Sequence, residues 1–267
     1  MFDLHSHILP ALDDGAKDLA ETVGMLEIAS KNGSKGIVAT PHLFEGNGLI
    51  AWKTILDNCE SLNVEAQRLS LNITVYPGAE VFLCLDILER IEGPGAYCIN
   101  NGRYLLVELP SLEIPRYAEE FFFTLQTRGI TPILAHPERH PDIIKKPEIL
   151  AEWVNKGILV QVNGPSLTGR FGERIMKTAE ILLSHDMVHC IGSDAHSIRS
   201  RNPDLTKAYE KIHKLVGPER SERILKTNPG KIIANCEFEA PKILDLKVEH
   251  QRRGIFKWLD KIKRLRG

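Results

Sequence analysis

His5 and His7 stand two residues apart at the end of a short apolar run, and Asp194 and His196 repeat that spacing far along the chain. In an extended segment residues i and i+2 point the same way, so each pair can present two ligand atoms to one ion. His42, Glu80, Glu108 and His136 each follow a comparable apolar run, and Asp13 and Asp14 supply a further carboxylate. Every one of these donors is nitrogen or oxygen. They are too many for one ion with about four to six ligands and enough for two or three. Imidazole and carboxylate without thiolate suit Mn, Fe or Zn. Taken singly, any of the histidines reads equally well as a satisfied interior side chain. Their shared placement at successive run ends is what argues for a metal centre. His140, His185, His189, His213 and His250 lack that placement and read as structural or surface residues.

The runs that must position these groups are Phe2–Leu4, Gly36–Ala39, Ile73–Tyr76, Tyr104–Val107, Pro132–Ala135, Ile158–Val162 and Val188–Ile191. Between them lie helical patterns, clearest over residues 18–26, 51–71, 118–128, 148–155 and 172–185. From His5 through His42, Glu80, Glu108, His136, Asn163 and Asp194 the gaps are 37, 38, 28, 28, 27 and 31 residues. Each gap is about one β-α unit. Strands alternating with helices imply a parallel sheet. Seven strands point to an α/β barrel of the (β/α)7 kind, one unit short of the triosephosphate-isomerase barrel; an open doubly wound sheet is the alternative. In a parallel barrel the C-terminal strand ends share one face, where active sites sit.

The composition fits such a domain. The 267 residues are 43% hydrophobic and 26% charged, with a formal net charge of -1, which excludes disordered, collagen-like and coiled-coil chains. No run approaches the ~18 apolar residues of a membrane span, and the N-terminus reads as lacking a signal peptide. The five cysteines are odd in number, widely spaced and without C-x-x-C, as expected of reduced cytosolic thiols. The charge divides unevenly: residues 241–267 hold nine Lys/Arg and three Asp/Glu, which leaves residues 1–240 at -7. An acidic body argues against a nucleic-acid partner. The division is therefore a single barrel over 1–240 and a basic amphipathic tail over 241–267. On a helix Ile255, Trp258, Leu259, Ile262 and Leu265 form one apolar stripe. That stripe can pack on the acidic body or a second subunit, or lie on an anionic membrane surface. The sequence sets no oligomeric state.

Asp3-Leu4-His5-Ser6-His7, Thr40-Pro41-His42, Pro77-Gly78-Ala79-Glu80, Ala135-His136-Pro137-Glu138-Arg139 and Gly192-Ser193-Asp194-Ala195-His196 resemble the motifs of the PHP (polymerase and histidinol phosphatase) superfamily. His7-Ile8-Leu9-Pro10 followed by Asp13-Asp14-Gly15 is similar, more narrowly, to the bacterial capsular-polysaccharide tyrosine-protein phosphatases of the CpsB/YwqE type. The resemblance spans residues 1 to about 235, in order. It implies a distorted (β/α)7 barrel with a trinuclear, manganese-type site, in a cytosolic enzyme that dephosphorylates the tyrosine kinase driving exopolysaccharide export. It groups His5, His7, Glu80 and Asp194 on one metal, Glu80, Glu108 and His136 on a second, and Asp14, His42 and His196 on a third. Asp13 competes with Asp14 for its place.

Clustered ions activate water for attack on phosphorus, and a tyrosine phenolate, with pKa about 10, is a tolerable leaving group without a dedicated acid. Arg139 reads as the phosphate clamp, because guanidinium meets phosphate oxygens in a fork. Arg201 resembles a second clamp, with Arg199 as its competitor. One decoy is Cys84 through Arg90, which has the C-x5-R spacing of cysteine-dependent phosphatases. Those loops lean on glycine to cradle phosphate; here Leu-Asp-Ile-Leu-Glu reads as helix and brings two carboxylates. The competing functions are a small-molecule phosphomonoesterase such as histidinol phosphatase, a nuclease of the polymerase-associated branch, and a non-catalytic, metal-stabilised docking subunit for the kinase.

Overall fold

The protein is described from a computed structural model. It describes residues 1–45, 48–237 and residue 243, so the basic tail lies, Ile243 apart, outside the described residues. The strands are β1 (Phe2–Ser6), β2 (Gly36–Ala39), β3 (Thr74–Pro77), β4 (Glu80–Phe82), β5 (Tyr104–Glu108), β6 (Thr131–Ala135), β7 (Leu159–Asn163) and β8 (Cys190–Gly192). All pair in parallel, in the orders β1-β2-β3 and β8-β7-β6-β5-β4. A separate two-residue ladder, Phe44–Glu45 with Gly48–Leu49, follows β2.

β3 and β4 are two halves of one pass of the chain, broken at Gly78-Ala79. The first half pairs with β2 and the second with β5, so eight strands make seven passes, as the run spacing predicts. Two isolated parallel bridges join the sheets. His42 faces Glu80 across one, and Ser6 faces Ala195 across the other. At the second, His7 N–H donates to Ala195 O and Asp194 N–H to His5 O, both at 2.8 Å. Regular pairing therefore gives way at the places where the candidate ligands sit. Buried Asp3 holds β1 against the end of β8: its Oδ1 accepts the backbone N–H groups of Ser193 (2.8 Å) and His5 (3.2 Å). Burial pushes its carboxyl up to about 6 against those hydrogen bonds.

Two apolar clusters follow the period of 2. On β5, Tyr104 and Leu106 face an inner cluster with Leu4, Val38, Ile133 and Cys190, while Leu105 and Val107 face an outer one under the helices. Ile232 and Ile233, from the helix Asn228–Ile233, join the inner cluster. The outer layer holds the helices Leu19–Lys31, Trp52–Arg68, Ala118–Thr127, Glu148–Asn155 and Glu173–Ser184, close to the predicted patterns. Asp18 caps the first by accepting Glu21 N–H at 2.8 Å. The span Thr206–Glu222 is two helical stretches broken at Gly217 (φ 80°) before Pro218, a pair that punctuates the pattern and hides it from sequence reading. Among the described residues no helix is long and apolar enough to cross a membrane.

Gly192, the last residue of β8, marks a close approach. A Cβ there would lie 2.4 Å from His5 Cβ and 2.7 Å from Gln161 Nε2. Gly192→Ala is therefore expected to destabilise the fold by about 1–3 kcal/mol, the usual cost of overpacking. Urea unfolding measures it; an unchanged midpoint would show that the strands open without cost.

Candidate metal centre

Seven passes ending on one face bring residues almost 190 positions apart into contact. His5 Nε2 and His7 Nε2 lie 3.2 Å from each other. Glu80 Oε2 is 3.2 Å from His5 Nε2, 3.4 Å from His7 Nε2 and 3.3 Å from His42 Nδ1. Its other oxygen is 3.0 Å from His136 Nε2. Glu108 Oε1 is 3.7 Å from that same His136 nitrogen. Asp194 Oδ1 is 3.6 Å from His7 Nε2 and from His196 Nδ1. Three overlapping groups have ligand atoms close enough to share an ion: His7, Asp14, His42 and His196; His5, His7 and Glu80; His42, Glu80 and Glu108. Seven of the nine sequence-predicted ligands fall in these groups, and the other two adjoin them, His136 3.0 Å from Glu80 and Asp194 3.6 Å from His7; the groupings differ from the three expected sets.

The neighbours Asp13 and Asp14 separate by geometry. Asp13 is already engaged: its Oδ2 accepts from His7 Nδ1 at 2.6 Å and from His42 N–H at 3.0 Å, and its Oδ1 accepts Gly15 N–H at 3.0 Å. Asp14 is more open, and its Oδ1 lies 3.2 Å from His196 Nε2 and 3.8 Å from His42 Nε2. With its Nδ1 turned to Asp13, His7 points Nε2 inward. Gln161 does the same for His5, whose Nδ1 lies 3.0 Å from the amide Oε1. Such partners fix ring orientation and tautomer and raise donor basicity.

The electrostatics describe a site short of positive charge. Burial disfavours the imidazolium of His7, yet the Asp13 and Glu80 carboxylates hold its pKa up to about 10. Burial likewise opposes a charged His136, and Glu80 holds it at about 8. Glu80 is held well below its ordinary value by His5, His136 and His7 despite its burial. Glu108, pressed by burial and by Glu80, is raised. Carboxylates that pull protons onto imidazoles will accept a cation in their place, which fits a nitrogen-and-oxygen metal site.

Asp194 joins this cluster to the arginines. Its Oδ2 accepts from Arg139 Nη1 (2.9 Å) and Asn163 Nδ2 (2.7 Å), and its Oδ1 from Arg201 Nη2 (2.5 Å). Arg199 is exposed and Arg201 reaches the centre, so the two candidates separate. Arg139 also lies over the Phe171 ring, 4.8 Å from its centroid. Behind them Glu138 Oε1 accepts from Asn163 N–H (3.0 Å) and Ser166 Oγ (2.6 Å). His136 and Asp194 have positive φ, 32° and 52°, a conformation that non-glycine residues hold only under constraint and that clusters at functional sites. Gln161 escaped the sequence reading, and Asn163 entered it only as a strand end; the signal was two amides at spacing i, i+2 inside an apolar strand. Cys84 caps the short helix Leu85–Leu88 without a side-chain hydrogen bond, and no phosphate cradle forms there. His140 bonds Pro110 O and Asp142 N–H, and His189 Nδ1 accepts Val160 N–H, consistent with structural roles.

The chain matches the capsular polysaccharide synthesis family CpsB/CapC over residues 1–234 and belongs to it. It is 33% identical over 219 residues to the tyrosine-protein phosphatase YwqE of Bacillus subtilis, covering 82% of this chain and 86% of that one. It is 30% identical over 238 residues to the tyrosine-protein phosphatase CpsB of Streptococcus pneumoniae, covering 87% and 98%. A crystal structure from work on those two proteins, described as metal-dependent tyrosine phosphatases, superposes with a TM-score of 0.85 at 31% identity over 92% of this chain and 99% of that one. A histidinol phosphate phosphatase from Lactococcus lactis shares the fold alone, with a TM-score of 0.50 at 13% identity over 80% and 93%.

Because Asp13 and Gln161 orient His7 and His5, Asp13→Asn and Gln161→Leu are each expected to weaken Mn²⁺ binding by about 10- to 100-fold while the chain stays folded. Metal titration with circular dichroism on the same samples checks this. Affinity equal to the parent would leave both residues as packing elements.

Proposed function

We propose that this protein is a metal-dependent protein-tyrosine phosphatase whose phosphoprotein substrate is a bacterial tyrosine kinase of capsule or exopolysaccharide synthesis. The observation that carries the reading is the convergence of nine nitrogen and oxygen donors beside two arginines, in a chain whose relatives are named tyrosine-protein phosphatases. His5, His7, Glu80 and Asp194 would hold one ion, Glu80, Glu108 and His136 a second, and Asp14, His42 and His196 a third. Manganese is the proposed metal, with iron or zinc as alternatives for the same donors. The reading places the enzyme in the cytoplasm, supported by five free thiols.

When bound, such ions supply an activated water and neutralise phosphate charge. The chain's own residues do the rest. Asp194 holds Arg139 and Arg201 at the edge of the cluster, and each guanidinium keeps further N–H groups for phosphate oxygens. Asp13 and Gln161 engage Nδ1 of His7 and His5 and so aim the Nε2 of each ring into the cluster. Tyrosine leaves as phenolate, so no side chain needs to donate a proton at the bond-breaking step.

Arg139→Ala should keep its metals, because Asn163 and Arg201 still anchor Asp194, yet lose about 10²–10³ in kcat, the usual cost of one preorganised donor. EDTA should abolish phosphotyrosine-peptide hydrolysis and Mn²⁺ restore it, with Cys84→Ser close to the parent. Glu80→Ala should lower metal stoichiometry measured by elemental analysis, since that carboxylate faces four imidazoles. A folded but inactive Cys84→Ser enzyme would sink the metal mechanism, and a fully loaded Glu80→Ala enzyme would remove Glu80 from it.

A further inference from the structure

Beside the cluster lies a cleft of about 120 Å³ lined by Glu108, Leu109, Ser111, His136, Pro137 and Arg139, with Ala135 and His140 completing it. We infer that this cleft is the subsite for the aromatic ring of the substrate. The inference rests on the phosphatase reading above and deepens it.

Three observations meet here. First, the cleft shares His136, Glu108 and Arg139 with the metal and phosphate machinery, so a ring seated in it lies next to the phosphorus. Secondly, its size and lining suit one ring: Leu109, Ala135 and Pro137 offer apolar contact, and a cavity of about 150 Å³ takes a benzene in another protein. Thirdly, the walls are held in place. His140 Nδ1 accepts Asp142 N–H (3.2 Å), so its proton sits on Nε2 and goes to Pro110 O at 2.9 Å. Asp142 Oδ2 in turn accepts Ile114 N–H at 3.1 Å. These bonds clip the 109–114 loop to the turn after β6. The facing wall, Arg139, is tied to Asp194 and rests on Phe171.

Ser111 is exposed at the cleft's edge, so Ser111→Trp should fill the space without disturbing the core; Leu112→Trp, on the same loop, exposed and outside the lining, is its control. On Mn²⁺-loaded enzyme, Ser111→Trp should raise KM for phenyl phosphate and for a phosphotyrosine peptide at least tenfold. The inhibition constant of inorganic phosphate, which has no ring, should stay within twofold. Leu112→Trp should match the parent in both. A KM within twofold of the parent in Ser111→Trp, or a phosphate inhibition constant rising in step with KM, would overturn the subsite while leaving the phosphatase reading intact. A parent enzyme inert toward phosphotyrosine peptide would overturn both.

Discussion

The Glu80 carboxylate is the group around which this structure has to be built. It is almost fully buried and faces the imidazoles of His5, His7, His42 and His136. A buried carboxylate without partners costs several kcal/mol, so each strand delivering one of those histidines must arrive in register. The break between β3 and β4 follows from this demand. An unbroken strand would keep one register with β2 throughout. The interruption at Gly78-Ala79 lets Glu80 leave the β2 ladder, bridge to His42 and begin pairing with β5. Gly78 suits the spot, since a Cβ there would sit 2.9 Å from Val38 Cγ1.

Asp194 meets the same demand from the other side of the ring. Its left-handed backbone directs Oδ1 toward the histidines while Oδ2 is saturated by Asn163 and Arg139. Asn163 in turn is held by Glu138, one residue before Arg139 and two after His136. A ligand, a phosphate clamp and the end of β7 are thus braced by one buried carboxyl. Displacing any of them displaces the others, which is how a barrel rim made of loops attains the precision that chemistry requires.

Much of this was legible in sequence because strand periodicity and ligand spacing are both local regularities. Seven apolar runs and their terminal His, Asp and Glu residues predicted seven passes converging on one face, and the structure has them. What escaped depends on direction rather than spacing. Asp13 and Asp14 are adjacent in an irregular loop, where no period tells which side chain turns toward His7 and which toward His196. Arg199 and Arg201 differ in the same way. Gln161 and Asn163 lie in a strand buried along its whole length, so alternation could not mark the face they share. The helix Asn228–Ile233 opens with Asn-Pro-Gly, which reads as a turn in isolation. Its Ile232 and Ile233 are helical because they cover the inner cluster, a tertiary cause invisible to a local window.

The charge balance of the rim gives a reason why these residues suit a phosphate ester. Asp13, Asp14, Glu80, Glu108 and Asp194 contribute five carboxylates, and Arg139 and Arg201 two guanidiniums, leaving three negative charges when the imidazoles are neutral. Protons alone offset this poorly, since each must settle on a buried imidazole or carboxyl at a desolvation cost. Two divalent ions turn the rim to +1 and three turn it to +3. A phosphate monoester brings about -1.5 to -2 at neutral pH, so the loaded site and the ester approach neutrality together. The arginines enter this balance through Asp194, whose carboxylate takes both guanidiniums and also faces the histidines. The donors that would hold metal and the guanidiniums that would meet phosphate are thus coupled through a single aspartate.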